Sequence, residues 1–283
     1  MTKAFSPGHI TCFFSPVRTD DIMTTGSVGA GIRLNKGTFV TLEERRDEKI
    51  VTIMDGTVYD ARISEHVIRS MAPGRGFDVI IENELPVSQG MGMSAAGAIA
   101  AGLCVSSITG MSEHEAYRAA HISEIVNGGG LGDVAGITGG RQPIRVRAGI
   151  PPYGLVTDSE LELDVTVAVL GPRMDTSSIL SDRIAMSGIS SAGASCVNEY
   201  INARTEDALY ELSSGFSASA GLETSGMKDV LSSLRKDHKA SMCMLGNSIF
   251  TNADEDKVRS IVGDAEVFTC HSSAEGPKVI RRA

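Results

Sequence analysis

The sequence predicts an α+β protein in two parts, and three observations carry that expectation. Runs with strand character and runs with helical spacing are interleaved along the whole chain. Prolines and glycines cluster at Gly149-Ile-Pro-Pro-Tyr-Gly154, which sets the expected boundary between segments 1–150 and 151–283. At 283 residues and 42% apolar composition, the chain is long enough to close a core in each part.

The elements follow in order. Phe39 to Leu42, Ile50 to Met54 and Val58 to Ile63 read as short strands separated by charged or glycine turns, and with Phe77 to Ile81 they make an N-terminal sheet. Ala95 to Ser106 is rich in small apolar residues and reads as a helix. Ser112-Glu-His-Glu115 is a capping box, opening a helix that Asn127-Gly128 should end. Leu161 to Leu170 alternates and then runs apolar, as a buried strand does. Helical spacing returns over Ser190 to Ala203, Asp207 to Ser219 and Lys228 to Leu234. Strands near Ser241 to Leu245 and Glu266 to His271 flank a helix that begins after Asn252.

The chemistry concentrates in Pro86-Val-Ser-Gln-Gly-Met-Gly-Met-Ser-Ala-Ala-Gly97, between a strand and the small-residue helix. Gly90 and Gly92 allow a backbone that approaches a ligand closely, and Ser94 stands where an N-cap would stand. Amides at a helix start favour an anion, so the segment is suited to cradle phosphate. Two other readings share the pattern. A dinucleotide turn has the form G-x-G-x-x-A, but here Glu82 to Pro86 separate it from the strand. A plain glycine turn before a tightly packed helix is the other. No Walker A sequence occurs.

Composition excludes several partners. A net charge of −9 with no basic block argues against nucleic acid, and means that an anionic substrate needs a local basic site. Five scattered cysteines without a C-x-x-C pair point to neither a disulfide framework nor zinc. The N-terminus lacks a signal-like apolar stretch and the longest apolar helix is too short to span a bilayer, so no membrane partner and a cytoplasmic location are expected.

The phosphate loop keeps company with other motifs. Phe5-Ser6-Pro7-Gly8-His9-Ile10 lies near the start, Glu124-Ile-Val-Asn-Gly-Gly-Gly-Leu-Gly-Asp133 follows the capped helix, and Met244-Leu-Gly-Asn247 sits in the second part. In this order the motifs resemble the GHMP kinase superfamily of small-molecule kinases, and within it the archaeal branch that phosphorylates pantoate on the way to coenzyme A. The resemblance implies an N-terminal domain like the second domain of ribosomal protein S5, a C-terminal ferredoxin-like α/β layer, and an active site between them. It also implies ATP as phosphoryl donor, Mg2+ as the accompanying ion, and pantoate as acceptor. Homoserine or another small hydroxy acid is the alternative acceptor, and a non-catalytic nucleotide-binding protein the alternative class. Folds of this size are commonly homodimers.

Residue by residue, the resemblance implies that Ser88, Gly90, Gly92, Met93, Ser94, Ala95 and Ala96 contact the ATP phosphates. Ser94 and Glu124 would hold magnesium, and Asp133 would take or orient the acceptor hydroxyl proton. Tyr117, His121 and Glu124 share one helical face, where Glu124 reads equally as a solvated carboxylate. Asp133 among glycines reads equally as a turn brace. Arg145 and Arg147 alternate with apolar residues and would share one face of a strand, where an arginine fork suits the pantoate carboxylate. Arg145, His121, Ser27 and Thr176 are the candidate acceptor contacts, each also readable as a structural or solvated side chain. Several family members carry lysine or arginine where this chain has His9, so no role follows for His9.

Overall fold

The structure is a computed structural model and describes residues 1–173 and 183–281. Two antiparallel strands form its spine, β1 (Thr2–Val17) and β2 (Gly26–Glu44), paired along nearly their whole length. Neither was legible as a long strand, because Pro7, Gly8, Pro16 and four glycines of β2 interrupt the alternation. The register shifts between Pro7 and His9, a bulge in which Pro7, having no N–H, needs no ladder acceptor.

Beyond β2 lie β3 (Ile50–Met54), β4 (Thr57–Val58) and β5 (Phe77–Asn83). Strand β5 pairs antiparallel with β2 and parallel with β3. A parallel neighbour needs a crossover, and α1 (Arg62–Met71) supplies it. The strand expected over Val58 to Ile63 is therefore corrected to a two-residue strand followed by a helix start. Ser64, Val67, Ile68 and Met71 are buried at helical spacing and decide the matter.

Helix α2 (Met93–Thr109) is apolar all round and lies in the core, with α1 and α3 (Glu113–Val126) against it. The capping box at Ser112 forms as expected, with the Ser112 amide donating to Glu115 at 2.8 Å and the Glu115 amide to the Ser112 hydroxyl at 3.3 Å. Next come α4 (Asp133–Gly139), β6 (Pro143–Arg147) and β7 (Leu155–Asp158), with β6 joined to β2.

A second sheet holds β8 (Asp164–Val169), β9 (Ala240–Met242), β10 (Ser248–Thr251) and β11 (Val267–His271) in the order β11-β8-β10-β9. With it go α5 (Arg183–Ala203), α6 (Glu206–Ser219), α7 (Ser225–Leu234) and α8 (Glu255–Val262). The last strand, β12 (Lys278–Arg281), returns to pair with β1. One apolar cluster runs from Ile10, Phe13 and Phe14 into the second sheet, and another fills the space between α1, α2, α3 and the first sheet. Among the described residues no helix is long and apolar enough to cross a membrane.

Helix α5 lies directly on β1, because Gly193 leaves room for the Phe14 carbonyl where a Cβ would collide with it. Gly193→Ala should destabilise the protein by about 1–3 kcal/mol through overpacking. Urea denaturation checks this, and an unchanged midpoint would show that the contact can relax.

Candidate active site

A cavity of about 700 Å³ gathers the motifs. Its wall takes Thr11 and Phe14 from β1, Ser27 from β2, Ser88 to Ser94 without Gln89, Glu124, Gly128 to Asp133, Arg145, and Met244 with Leu245. The distant ends of the chain therefore share one space.

In the phosphate loop Ser88, Gly90 and Gly92 all take left-handed backbone, with φ of 60°, 77° and 63°. Such alternation turns successive amides toward one side, a concavity suited to anions. The N-cap of α2 is Gly92, which corrects the expectation for Ser94. Ser94 lies inside the first turn, and its hydroxyl donates to Glu124 Oε1 at 2.6 Å rather than capping the helix. Glycine tolerates the left-handed entry that the sharp turn requires, and this leaves the serine hydroxyl for the cavity. The Ala96 amide already donates to the Gly92 carbonyl at 2.9 Å. The unspent amides of the first turn thus end at Ala95, and Ala96 drops out of the expected cradle. Both alanine side chains are core residues, while Met93 lines the cavity.

The loop is held on two flanks. A Cβ on Gly8, at the β1 bulge, would lie 2.9 Å from the Met91 carbonyl, and the His9 amide donates to that same oxygen at 2.9 Å. On the other flank a Cβ on Gly90 would fall 2.7 Å from the Cys243 carbonyl, and Gly246 packs on the Gln89 backbone. The Ser248 hydroxyl donates to the Gln89 carbonyl at 2.5 Å, and the Asn247 amide to Gln89 Oε1 at 3.1 Å. The C-terminal glycine motif is thus a brace for the phosphate loop.

Glu124 and Asp133 converge. Glu124 is 1% exposed and accepts from Ser94 and from the Gly130 amide, the latter at 2.5 Å. Burial drives its pKa up to about 7; the Ser94 and Gly130 hydrogen bonds oppose the rise, and the Asp133 charge adds to it. Asp133 opens α4 rather than sitting in a free loop, with a quarter of its side chain open. A Cβ on Gly130 would press on Asp133 Oδ2 and lie 3.4 Å from Glu124 Oε2, so both carboxylates flank one glycine. Burial pushes the Asp133 carboxyl up, but the hydrogen bond from His9, with the Arg145 charge and the Thr11 hydrogen bond, outweighs it and leaves the pKa below its ordinary value.

The donor set that Ser94 and Glu124 present is all oxygen, as a hard divalent cation requires. Among the described residues no group of three or more His, Cys, Asp or Glu side chains forms a metal cage. An ion here would be held by one carboxylate and one hydroxyl, with a ligand and water completing its shell, which fits Mg2+.

Arg145 is 1% exposed, lines the cavity, and has none of its three guanidinium nitrogens hydrogen-bonded. Burial pulls its pKa down, opposed by the Asp133 charge. Arg147 does not share its face, because the register shifts between them; Arg147 turns to the Tyr153 carbonyl at 2.6 Å. Ser27 joins Arg145 at the wall, and a Cβ on Gly132 would meet both. His121 lies outside the wall, buried, with Nε2 3.0 Å from the Ile22 carbonyl. Tyr117 also lies outside it. Thr176 falls outside the described residues.

The residue that sequence reasoning left without a role is His9, fully buried, with Nδ1 3.1 Å from Asp133 Oδ1. Its position directly after Pro7-Gly8 is the signal, since that bulge faces the phosphate loop.

Comparison with known proteins converges on one family. Residues 59–141 match the N-terminal domain of GHMP kinases. A pantoate kinase of Thermococcus kodakarensis is 31% identical, with 99% of this chain and 99% of that protein aligned. A pantoate kinase of Methanocaldococcus jannaschii is 28% identical over 87% of this chain and 90% of its own length. A solved structure described as a phosphotransferase related to the CoA biosynthesis pathway superposes with a TM-score of 0.89 at 28% identity, covering 98% of both chains.

The Glu124 environment has a consequence for stability. A carboxyl whose folded pKa is raised from 4.5 to about 7 contributes stability at low pH and loses it as pH rises through that window. In metal-free buffer the melting temperature of the wild type should therefore fall between about pH 4.5 and 7 relative to Glu124→Gln, and run parallel above it. Melting curves across that range check it; parallel curves throughout would contradict the buried, proton-holding carboxyl.

Proposed function

The chain belongs to the GHMP kinase family, and on that footing we propose that it is a pantoate kinase, transferring the γ-phosphoryl group of ATP to the pantoate hydroxyl. The observation that carries the acceptor is Arg145. A buried guanidinium with no protein partner is costly unless a ligand completes it, and its fork matches a carboxylate. Phe14 and Leu131 add apolar wall for the methyl groups of pantoate. No acidic side chain is hydrogen-bonded to Arg145 among the described residues, which leaves its fork for the acceptor carboxylate.

The open amides from Gly92 to Ala95, with the left-handed Ser88 and Gly90, take the donor phosphates. Ser94 and Glu124 would hold Mg2+, which when bound would supply charge neutralisation on those phosphates. Asp133, kept ionised, accepts the hydroxyl proton as the oxygen attacks the γ-phosphorus, the β–γ bridging bond breaks and ADP leaves. Ser27 hydrogen-bonds the acceptor beside Arg145. In this reading residues 1–150 carry the loop and both carboxylates, and residues 151–283 complete the wall with Arg173, Met244 and Leu245. The enzyme works in the cytoplasm as a homodimer; the five free, buried cysteines suit a reducing compartment.

Incubation with ATP and magnesium, with and without pantoate, tests the function through ADP release. Release that depends on homoserine instead moves the acceptor, and no release with any small hydroxy acid leaves only a nucleotide-binding protein. Asp133→Asn should lower kcat about 100-fold or more with KM values little changed.

Arg145→Met gives a second, sharper result. It should leave the melting temperature unchanged or raised, since an unpaired buried charge is removed, while KM for pantoate rises about 100-fold. Retained affinity for pantoate would remove Arg145 from the acceptor site.

A further inference from the structure

We propose that His9 is a positioning residue: its Nδ1–H holds the Asp133 carboxylate toward the acceptor hydroxyl and ties that aim to the phosphate loop. The proposal rests on the phosphoryl-transfer reading above, in which Asp133 receives the hydroxyl proton.

The ring has almost no freedom. It is fully buried in a slot between two glycines, where a Cβ on Gly136 would lie 2.6 Å from Nε2 and one on Gly31 would strike the ring. The slot leaves the ring no room to slide, and the contact with Asp133 fixes which edge faces the carboxylate. The hydrogen-bond pattern also assigns the proton. Asp133 Oδ1 has only lone pairs to offer at 3.1 Å, so Nδ1 must carry hydrogen. Nε2 is buried with no partner, and a second proton there would be an orphaned donor. The imidazole is therefore neutral, with its hydrogen on Nδ1. It orients the carboxylate without cancelling the charge that must accept a proton. Thr11 supports the same oxygen at 3.4 Å, leaving Oδ2 over Gly130.

The main chain of His9 does the rest. Its amide donates to Met91, and a Cβ on Gly92 would lie 3.1 Å from its carbonyl oxygen. One residue thus touches the phosphate loop through its backbone and the proton acceptor through its ring. A shift of the loop relative to Asp133 must move both. His9 neither gains nor loses a proton in the reaction.

The test compares His9→Asn, His9→Gln and His9→Leu. The asparagine amide nitrogen stands near the place of Nδ1, the glutamine amide near that of Nε2, and leucine fills volume without a donor. His9→Leu should lower kcat about 30-fold or more with KM for ATP changed by less than about threefold. His9→Asn should recover most of the loss, and His9→Gln should not. In an Asp133→Asn background, His9→Leu should change kcat by less than about twofold, since the partner it positions is gone. Equal damage by asparagine and glutamine, or an undiminished leucine effect in the Asp133→Asn background, would overturn the proposal. A loss confined to KM for ATP would do the same, leaving His9 as loop scaffold. If His9→Leu fails to fold, the asparagine–glutamine contrast still decides. The ratios are measured with whichever hydroxy acid supports wild-type turnover, so a wrong acceptor shows in the wild type and a wrong role for His9 only among the variants.

Discussion

Three charges share a space that the fold has largely taken from water, and each is handled differently. Asp133 is satisfied by His9 and Thr11 and stays ionised. Glu124 has two donors, yet burial still pushes it to about 7. Arg145 has no hydrogen-bond partner at all. Breaking a buried ion pair by removing one partner typically destabilises by about 3–5 kcal/mol, so a site built with a partner missing works against folding. On the proposed reading, anions and a cation from outside complete this surface. The other features of the cavity follow from keeping these groups dry, close and correctly aimed.

Keeping them aimed is a matter of backbone contact more than side-chain packing. The phosphate loop lies between the bulge at Pro7-Gly8 and the turn after β9, and at both flanks the missing Cβ of a glycine sets the distance. Gly8 and Gly90 each face a carbonyl oxygen nearer than 3 Å to where a side chain would begin. Gly129 and Gly130 play the same part for the two carboxylates. The three motifs separated along the chain are therefore one object: a strand bulge, an anion loop and a bracing turn in mutual contact. Hydrogen bonds through Met91, Gln89 and Ser248 lock the contact once the glycines permit it.

Much of this was legible before folding. The capping box at Ser112 is visible because its chemistry is local, and it forms as expected. Glu124 and Asp133 were legible only through the family's motif order, since nothing in the spacing separates a buried carboxylate from a solvated one. Ser94 was misplaced by one role: N-cap preference favours serine, but the left-handed entry at Gly92 overrides it and sends the hydroxyl to Glu124. Arg145 and Arg147 obey the period of a strand until a bulge breaks it, and bulges leave no reliable mark in a sequence. Helix α1 was lost to β-branched residues that suit either period. His9 was opaque because its partner lies far along the chain, in a contact that only Gly31 and Gly136 allow.

The acidity of the chain sharpens the point about local fields. A protein with net charge −9 must bind polyanionic ATP and an anionic acceptor. At physiological ionic strength surface charge is screened over roughly 8 Å, whereas buried groups lining the cavity act at an effective dielectric about a quarter of that of water. The global repulsion is thus mostly silent at the site, and the few positive elements inside it are strong. Most of them are not side chains. They are the open amides at the start of α2, which carry no charge that the rest of the molecule must balance and no flexible stem to order. One arginine then suffices where direction matters, because a carboxylate needs a fork and a phosphate needs only a concave array of donors. On the proposed reading, the division of labour between backbone for the donor and guanidinium for the acceptor would let so acidic a chain hold two anions side by side.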